Sequence, residues 1–409
     1  MSLRLFFLPL FTFVIPAIAS GLPLTMDGAV AYALQHNHSL AAARLSINEA
    51  RGRLQQSGRL SNPEVELEFN KNTRSRESSS SVVLMQRFPV TGRLRYEKAI
   101  SRAQLSAAES EVRDAERKLS ADVRTLAVKL IALNEQRTLR STQLANIHEL
   151  SEFLRKLVAT GEGSATDARQ VELESRQIEI ERLQLTADEL GLLGEFRILL
   201  GSSTHETPTV SGKLTHPSNN RKPSAPTQRP DILAAESRSE AAKLSVREQQ
   251  ARRLEDVGAG VSYRNERTID DPNPAQTDQV IGLRFSLPLP LWNDNSGRIN
   301  EAAAAAARAE KEVTAARLNA GTEVLAARDA MDAYSKILSE LDSKVLPQAT
   351  QLEEQLGASY STGQTPLVEV LRARSRRLDL QRQRLDALRD YHLASIRHAS
   401  ATNQQPASK

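Results

Sequence analysis

Four short stretches of this chain alternate apolar and polar residues, and they limit its architecture more than any other feature. The clearest runs from Val280 to Leu287. Ile281, Leu283, Phe285 and Leu287 fall on one side; Gly282, Arg284 and Ser286 fall on the other. That is the side-chain period of a half-buried β-strand. In a second stretch Val65, Leu67 and Phe69 oppose Glu64, Glu66 and Glu68. The alternation predicts strands at about 63–71, 81–89, 257–265 and 279–287, each near the ~9–11 residues of a tilted transmembrane strand. Four strands cannot close a barrel, and an open edge cannot face lipid, because its N–H and C=O groups would go unpaired. Several copies must therefore pool their strands. Two copies would give about eight and a filled interior, three about twelve and room for a channel. Phe69, Phe88, Tyr96, Tyr263, Phe285 and Trp292 lie in or beside these segments, as an interfacial aromatic girdle would.

The rest of the sequence is helical in pattern and says everything twice. "HNHSLAAARLSINEARGRL" from His36 is echoed by "QRPDILAAESRSEAAKLSV" from Gln228, with Ser39 and Asp231 at the expected N-cap positions. "SVVLMQRFPVTGRLRYEKA" is echoed by "VIGLRFSLPLPLWNDNSGRINEA", and "KLVATGEGSATDARQVELE" by "ASYSTGQTPLVEVLRARSR", with Gly161 and Gly363 at the turns. "NPEVELEFN" from Asn62 is matched by "EDVGAGVSYRN" from Glu255 as a short alternating run, and four matched pairs in one order mark an internal duplication. Each unit reads helix, strand, strand, very long helix, turn, helix. Leu105, Val112, Leu119, Leu126, Leu133, Ile147 and Leu154 form one seven-residue comb, broken at Arg140; Val324, Met331, Leu338, Val345 and Leu352 form another. Such a repeat keeps one seam against a neighbour in a left-handed supercoil. The first long helix, Thr91 to Thr160, would measure roughly 100 Å. Pro347 falls inside the second and should kink it or leave a carbonyl unpaired.

Residues 1–19 read as a secretory signal peptide: Arg4, then an apolar run from Leu5 to Ile18, then small residues for cleavage after Ala19. The following residue is Ser20 and the chain has no cysteine, so neither a lipid anchor, nor disulfides, nor thiolate metal sites are expected. The expected organisation is a first unit at 20–201, a Pro-rich linker at 202–230 holding five prolines, a second unit at 231–400 and a disordered tail at 401–409. The small net charge of +4 is interspersed and gives no nucleic-acid footprint. No phosphate-cradling loop, nucleophile elbow or zinc-type His/Glu spacing points to an enzyme or a cofactor. Among the histidines, His36 and His38 cannot share a helix face, His392 and His398 are six apart, and His205 and His216 lie in the linker. None is read as a metal ligand.

Taken over the whole mature length, the chain resembles the TolC-like outer-membrane efflux proteins. The residues that carry the resemblance are "LTMDGAVAYALQHNHSLAAAR", Arg229-Pro230-Asp231, and the paired turns "TGEGSATDARQ" and "STGQTPLVEVLRA". "QRFPVTGR" and "LPLPLWNDNSGRINEA" look like the CzcC-like branch, the outer-membrane components of cobalt-zinc-cadmium resistance systems. The resemblance implies a mainly α fold with a small antiparallel β part. Long coiled-coil helices would form an α-barrel across the periplasm, and four transmembrane strands per chain would form a twelve-stranded β-barrel in a homotrimer. It implies a passive exit duct in the bacterial outer membrane, partnered by a periplasmic adaptor and an inner-membrane pump of the resistance-nodulation-division type. The lipid face would comprise Val65, Leu67, Phe69, Ile281, Leu283 and Phe285. The periplasmic tip would carry Gly161, Asp167, Arg169, Gly363, Glu369 and Arg372, with Asp167 and Glu369 matching acidic positions that help close an iris. Thr365 stands where relatives have a basic partner, so Arg169, Arg372 or Arg374 would have to complete the closure. Asp167 has a plainer reading too, as a first-turn residue complementing a helix dipole. Ser79 is expected in an extracellular loop. Heavy-metal cations are the expected cargo, with organic compounds as the alternative. If the strands proved soluble, a non-transport periplasmic scaffold would be the remaining reading.

Overall fold

A computed structural model describes residues 21–74, 76–202, 207–216, 229–269 and 274–404. The signal segment, His205, much of the linker and most of the tail lie outside the described residues.

In chain order the elements are β1 (Gly21–Leu24), α1 (Met26–His36), α2 (His38–Gln56), β2 (Glu64–Lys71), β3 (Ser78–Phe88), α3 (Arg93–Ala159), α4 (Ala165–Leu200) and β4 (Thr207–Val210). Then follow α5 (Pro230–Ala251), β5 (Val257–Thr268), β6 (Gln276–Ser286), α6 (Ser296–Glu340), α7 (Leu346–Ser361) and α8 (Leu367–Ala401). The fold is mainly helical with a small antiparallel sheet. Helix α3 holds 67 residues, about 100 Å of rise, and packs along α2, α4, α5 and α8. Helices α6, α7 and α8 make the second long hairpin.

The first comb is buried from Val112 to Leu154, and Leu105 is half-buried. Its break is a packed position as well. Arg140 is buried, ion-paired to Glu181 at 2.8 Å and hydrogen-bonded to Gln143 at 2.7 Å. The second comb changes course. Met331 and Leu338 are buried, but Leu341 takes the next buried place and Leu352 is exposed. The cause is a π-helical turn at Leu341–Val345, where the Leu346 N–H donates to the Leu341 carbonyl five residues back. One extra residue per turn rotates the downstream seam, and Pro347 then opens α7, where its missing N–H does little harm. The proline thus meets a widened turn rather than a simple kink.

Three apolar cores run along the helices. Leu40, Val123, Ala127, Phe196 and Leu200 centre the first, Val128, Ile131, Met331, Leu338, Leu388 and Tyr391 the second. The third, at the far end, joins Ile147, Leu154, Val171, Ile178, Leu367 and Leu371. Between the first two, β1 pairs parallel with β4, Gly21 opposite Thr207 and Leu24 opposite Val210. One of its strands, β4, lies inside the segment expected to be irregular linker, and the other, β1, opens the expected first unit; hydropathy gave no sign of either.

Two caps fall elsewhere than expected. Helix α2 is capped by Asn37, whose Oδ1 accepts from the Leu40 N–H at 2.8 Å, and Ser39 is already helical. Helix α5 begins at Pro230, which puts Asp231 in its first turn and Arg229 at the cap.

Candidate functional site

The sheet has the order β2-β3-β5-β6, antiparallel throughout. Its strands run longer than the apolar pattern suggested. Ser78 to Ser80, Glu266 to Thr268 and Gln276 to Asp278 continue the ladders toward the hairpin turns. Polar residues read as loop by hydropathy, but backbone pairing holds them in register. Ser79 is therefore a strand residue opposite Asn70 and Glu266, not a loop residue.

Register sorts the side chains into rows. Val65, Leu84, Val261 and Leu283 form one; Leu67, Val82, Tyr263 and Ile281 form the next. All eight are exposed, Ile281 to 81% and the neighbouring Phe69 to 76%. Below them Phe285, Leu287 and Leu289 continue the exposed apolar surface, and Trp292 is 95% exposed. The expected apolar face (Val65, Leu67, Phe69, Ile281, Leu283 and Phe285) is thus gathered on one side and left exposed by the described residues of its own chain. From Leu287 to Gln279 is about 27 Å along a strand at 3.4 Å per residue, comparable with the ~25 Å apolar band of a barrel.

The opposite side carries Glu64, Glu66, Glu68, Glu266 and Asp278 with Arg87, Arg264 and Arg284. Arg87 pairs with Glu64 at 3.4 Å and Arg284 with Glu66 at 3.5 Å. At its base an open cavity of about 920 Å³ is lined by Arg93, Arg252, Arg253 and Arg298 together with Glu255 and Asp256. Arg93 bridges Glu97 and Asp256 at 2.6 and 2.7 Å, fixing the start of α3 to the approach of β5.

At the other end of the molecule the two hairpin turns lie beside a common core. Gly161 (φ 78°) and Gly363 (φ 74°) adopt the left-handed conformation that closes each turn, which glycine adopts without strain. Glu162 and Gly163 both donate to the Leu157 carbonyl at 2.9 Å, and Gln364 donates to Ser359 at 3.0 Å. The Ser164 hydroxyl accepts from the Asp167 N–H at 3.3 Å and caps α4. Leu367 and Leu371 of α8 share one apolar core with Val171 and Ile178 of α4 and with Ile147 and Leu154 of α3, which draws the tips together. Glu369 takes Arg372 as its partner at 2.8 Å within one helix turn. Arg374 and Arg377 both reach Glu353 on α7. Asp167 and Arg169 enter no ion pair among the described residues. Nearby, burial pushes the Glu174 carboxyl above its ordinary value, against the pull of Arg374.

Three of the described histidines make contacts within the chain. His36 stacks on Tyr32 with ring centroids 4.1 Å apart. His216 lies 2.6 Å from Arg384 and 3.5 Å from Asp342, and His392 meets the Thr215 carbonyl at 2.8 Å. No cluster of three or more metal-ligating side chains occurs among the described residues.

Sequence patterning missed one surface. On α4, Leu173, Ile180, Leu183 and Leu190 have heptad spacing and are all exposed, as are Leu318 and Leu325 on α6. The signal was present at the expected period. It was hidden because α4 also carries the buried series Val171, Ser175 and Ile178 on its other side.

A family model described as "outer membrane efflux protein" matches residues 29–191 and 223–404. Among solved structures, a membrane protein from Pseudomonas aeruginosa is 18% identical, with a TM-score of 0.79 over 92% of this chain and 93% of that one. CusC is 18% identical with a TM-score of 0.78, covering 93% and 92%, its structures described in connection with folding and transmembrane channel formation. The outer membrane protein VceC of Vibrio cholerae is 20% identical with a TM-score of 0.74, covering 93% and 96%. No curated protein matched.

Proposed function

The chain belongs to the outer membrane efflux protein family, and from that premise we propose that it is the outer-membrane exit duct of a tripartite pump. The observation that carries this reading is the exposed apolar sheet face backed by a charged one. Lipid is the solvent that suits the first and water the second. The edges support it too. β2 and β6 are the outer strands and run in opposite directions, so β6 of one copy meets β2 of the next antiparallel. Three copies of the four strands make twelve, which closes the edges that a single chain leaves open. The bare apolar seams of α4 and α6 would be covered in the same ring, each copy's α4 facing its neighbour's α6.

In this reading the duct is passive, and energy is supplied at an inner-membrane pump of the resistance-nodulation-division type through a periplasmic adaptor. The tips form its periplasmic gate. Glu369 and Arg372 satisfy each other within the chain, which leaves Asp167 and Arg169 for contacts between copies. The CzcC-like stretches "QRFPVTGR" and "LPLPLWNDNSGRINEA" and the surplus of inward carboxylates favour heavy-metal cations as cargo.

The test uses the absence of native cysteine. Thr73, in the turn between β2 and β3, is changed to Cys and labelled in intact cells with a membrane-impermeant maleimide. Labelling, together with a detergent-solubilised trimer, is the expected result. A water-soluble monomer that is labelled only after the outer membrane is opened would overturn the proposal.

A further inference from the structure

Toward the hairpin turns the outward face of the sheet changes character. Above the Phe69 row lies a row of Lys71, Ser78, Arg267 and Thr277. With Ser80 and Asn265 these residues frame a hollow of about 440 Å³ over Phe69. Lys71 and Arg267 are the only charged side chains on the outward face of the four strands; every carboxylate of the sheet faces inward. Neither cation has an ionic partner among the described residues. They stand two strands apart, about 10 Å between backbones, a span that two long side chains can close around a phosphate. The Oδ1 atom of Asn265 is buried and receives no hydrogen bond, an arrangement that costs free energy unless something donates to it. The hollow thus offers two cations, several hydroxyls and one acceptor that lacks a donor.

We propose that this hollow binds the phosphorylated sugar headgroup of an outer-leaflet glycolipid. The proposal rests on the reading of the sheet as a membrane wall. The hairpin ends are remote from the helices, so in that wall they stand in the outer leaflet. Charge complementarity sets the phosphate against Lys71 and Arg267. A sugar hydroxyl beside the phosphate supplies the donor that Asn265 lacks, which a bare phosphodiester does not. Directly below, Phe69, Leu67 and Ile281 receive the acyl chains.

The full chain is reconstituted into phosphatidylethanolamine vesicles with lipopolysaccharide, either intact or enzymatically dephosphorylated. Bound glycolipid is counted by native mass spectrometry after detergent extraction. Preferential retention of the phosphorylated form is expected. The double variant Lys71→Gln/Arg267→Gln should weaken it roughly thirtyfold, two charges at about fivefold each. Asn265→Leu should weaken both forms severalfold, and Lys311→Gln on α6, a remote charge control, should change nothing. Equal retention of the two forms by the wild type, or unchanged binding in the double variant, would overturn the proposal. So would equally effective displacement by phosphatidylglycerol. Vesicle flotation separates the two layers of the argument: a chain that floats but does not discriminate sinks only the headgroup site, and one that fails to float sinks the membrane reading beneath it.

Discussion

Arg229 is the most deeply placed charge of the linker's exit. Its side chain is 4% exposed, grips Asp231 through two nitrogens at 3.0 and 2.6 Å, and holds Glu323 on α6 with the third at 2.6 Å. One planar group thereby fixes the start of α5 to α6, a task that a lysine ammonium cannot share between two carboxylates in the same way. Burial opposes the charge, but Asp231 and Glu323 raise the guanidinium's pKa further. Arg229→Lys should therefore destabilise the fold nearly as much as Arg229→Gln, by about 3 kcal/mol, the lower end for a broken buried pair because Asp231 can rehydrate. Thermal loss of the helical circular-dichroism signal measures it. The same pair sets an acid limit. Burial works against the Asp231 carboxylate, yet the hydrogen bonds and charge of Arg229, with the charge of Arg117, hold it below its ordinary value. A depressed folded pKa adds stability above the unfolded value near 3.8, and that stability is lost as pH falls through the folded one. Asp231→Asn should flatten this part of the acid profile. Loss of stability that is equally steep in the variant would refute the assignment.

At the scale of elements, Asn37 shows what could be read in the sequence and what could not. "HNHSLAAA" offers two capping residues, and the pattern alone favoured Ser39 because it immediately precedes the apolar run. The structure selects Asn37 because its amide serves two helices. The Oδ1 atom caps α2, and Nδ2 donates to the Leu199 carbonyl at the end of α4 at 2.9 Å. That second partner is 162 residues away in sequence, and no local pattern encodes it. Asn37→Ala should cost about 1–2 kcal/mol, read as a lower melting temperature. Asn37→Ser should recover only part, since a hydroxyl that caps α2 does not reach α4 as well. Full recovery by serine would mean that the α4 contact contributes nothing. The same contrast runs through the fold. The strands, the Val112 to Leu154 comb and the glycine turns depend on period and backbone conformation, which sequence carries directly. The β1–β4 pair, the buried Arg140–Glu181 bridge and the π-turn ahead of Pro347 depend on which distant segments meet. At the site, the exposed apolar row was legible from alternation, whereas the single-chain partners of Glu369 and Arg374 were not.

For the whole molecule, the consequence of the proposed ring would lie in its interior charge. Five carboxylates against three arginines share the polar face of the four strands, so in the proposed ring every added copy would deepen a negative potential inside a low-dielectric wall. Identical side chains recur around the axis, and ring-like arrays of carboxylates favour cations in a pore. Arg284 and Arg87 neutralise Glu66 and Glu64 within the chain, so the whole surplus comes from Glu68, Glu266 and Asp278, opposed by Arg264. A reconstituted duct in a potassium chloride gradient should therefore show a reversal potential of cation sign. Glu68→Gln and Glu266→Gln together should move it toward zero, while Lys311→Gln on α6, away from the sheet, should leave it unchanged. The preference should also weaken as salt rises, because screening shortens from about 10 Å at 0.1 M to about 3 Å at 1 M. An anion-selective wild type, or a preference indifferent to both variants and salt, would place the selecting charge outside the sheet. The helical tips, with Asp167 and Arg169, would then be the region to test next.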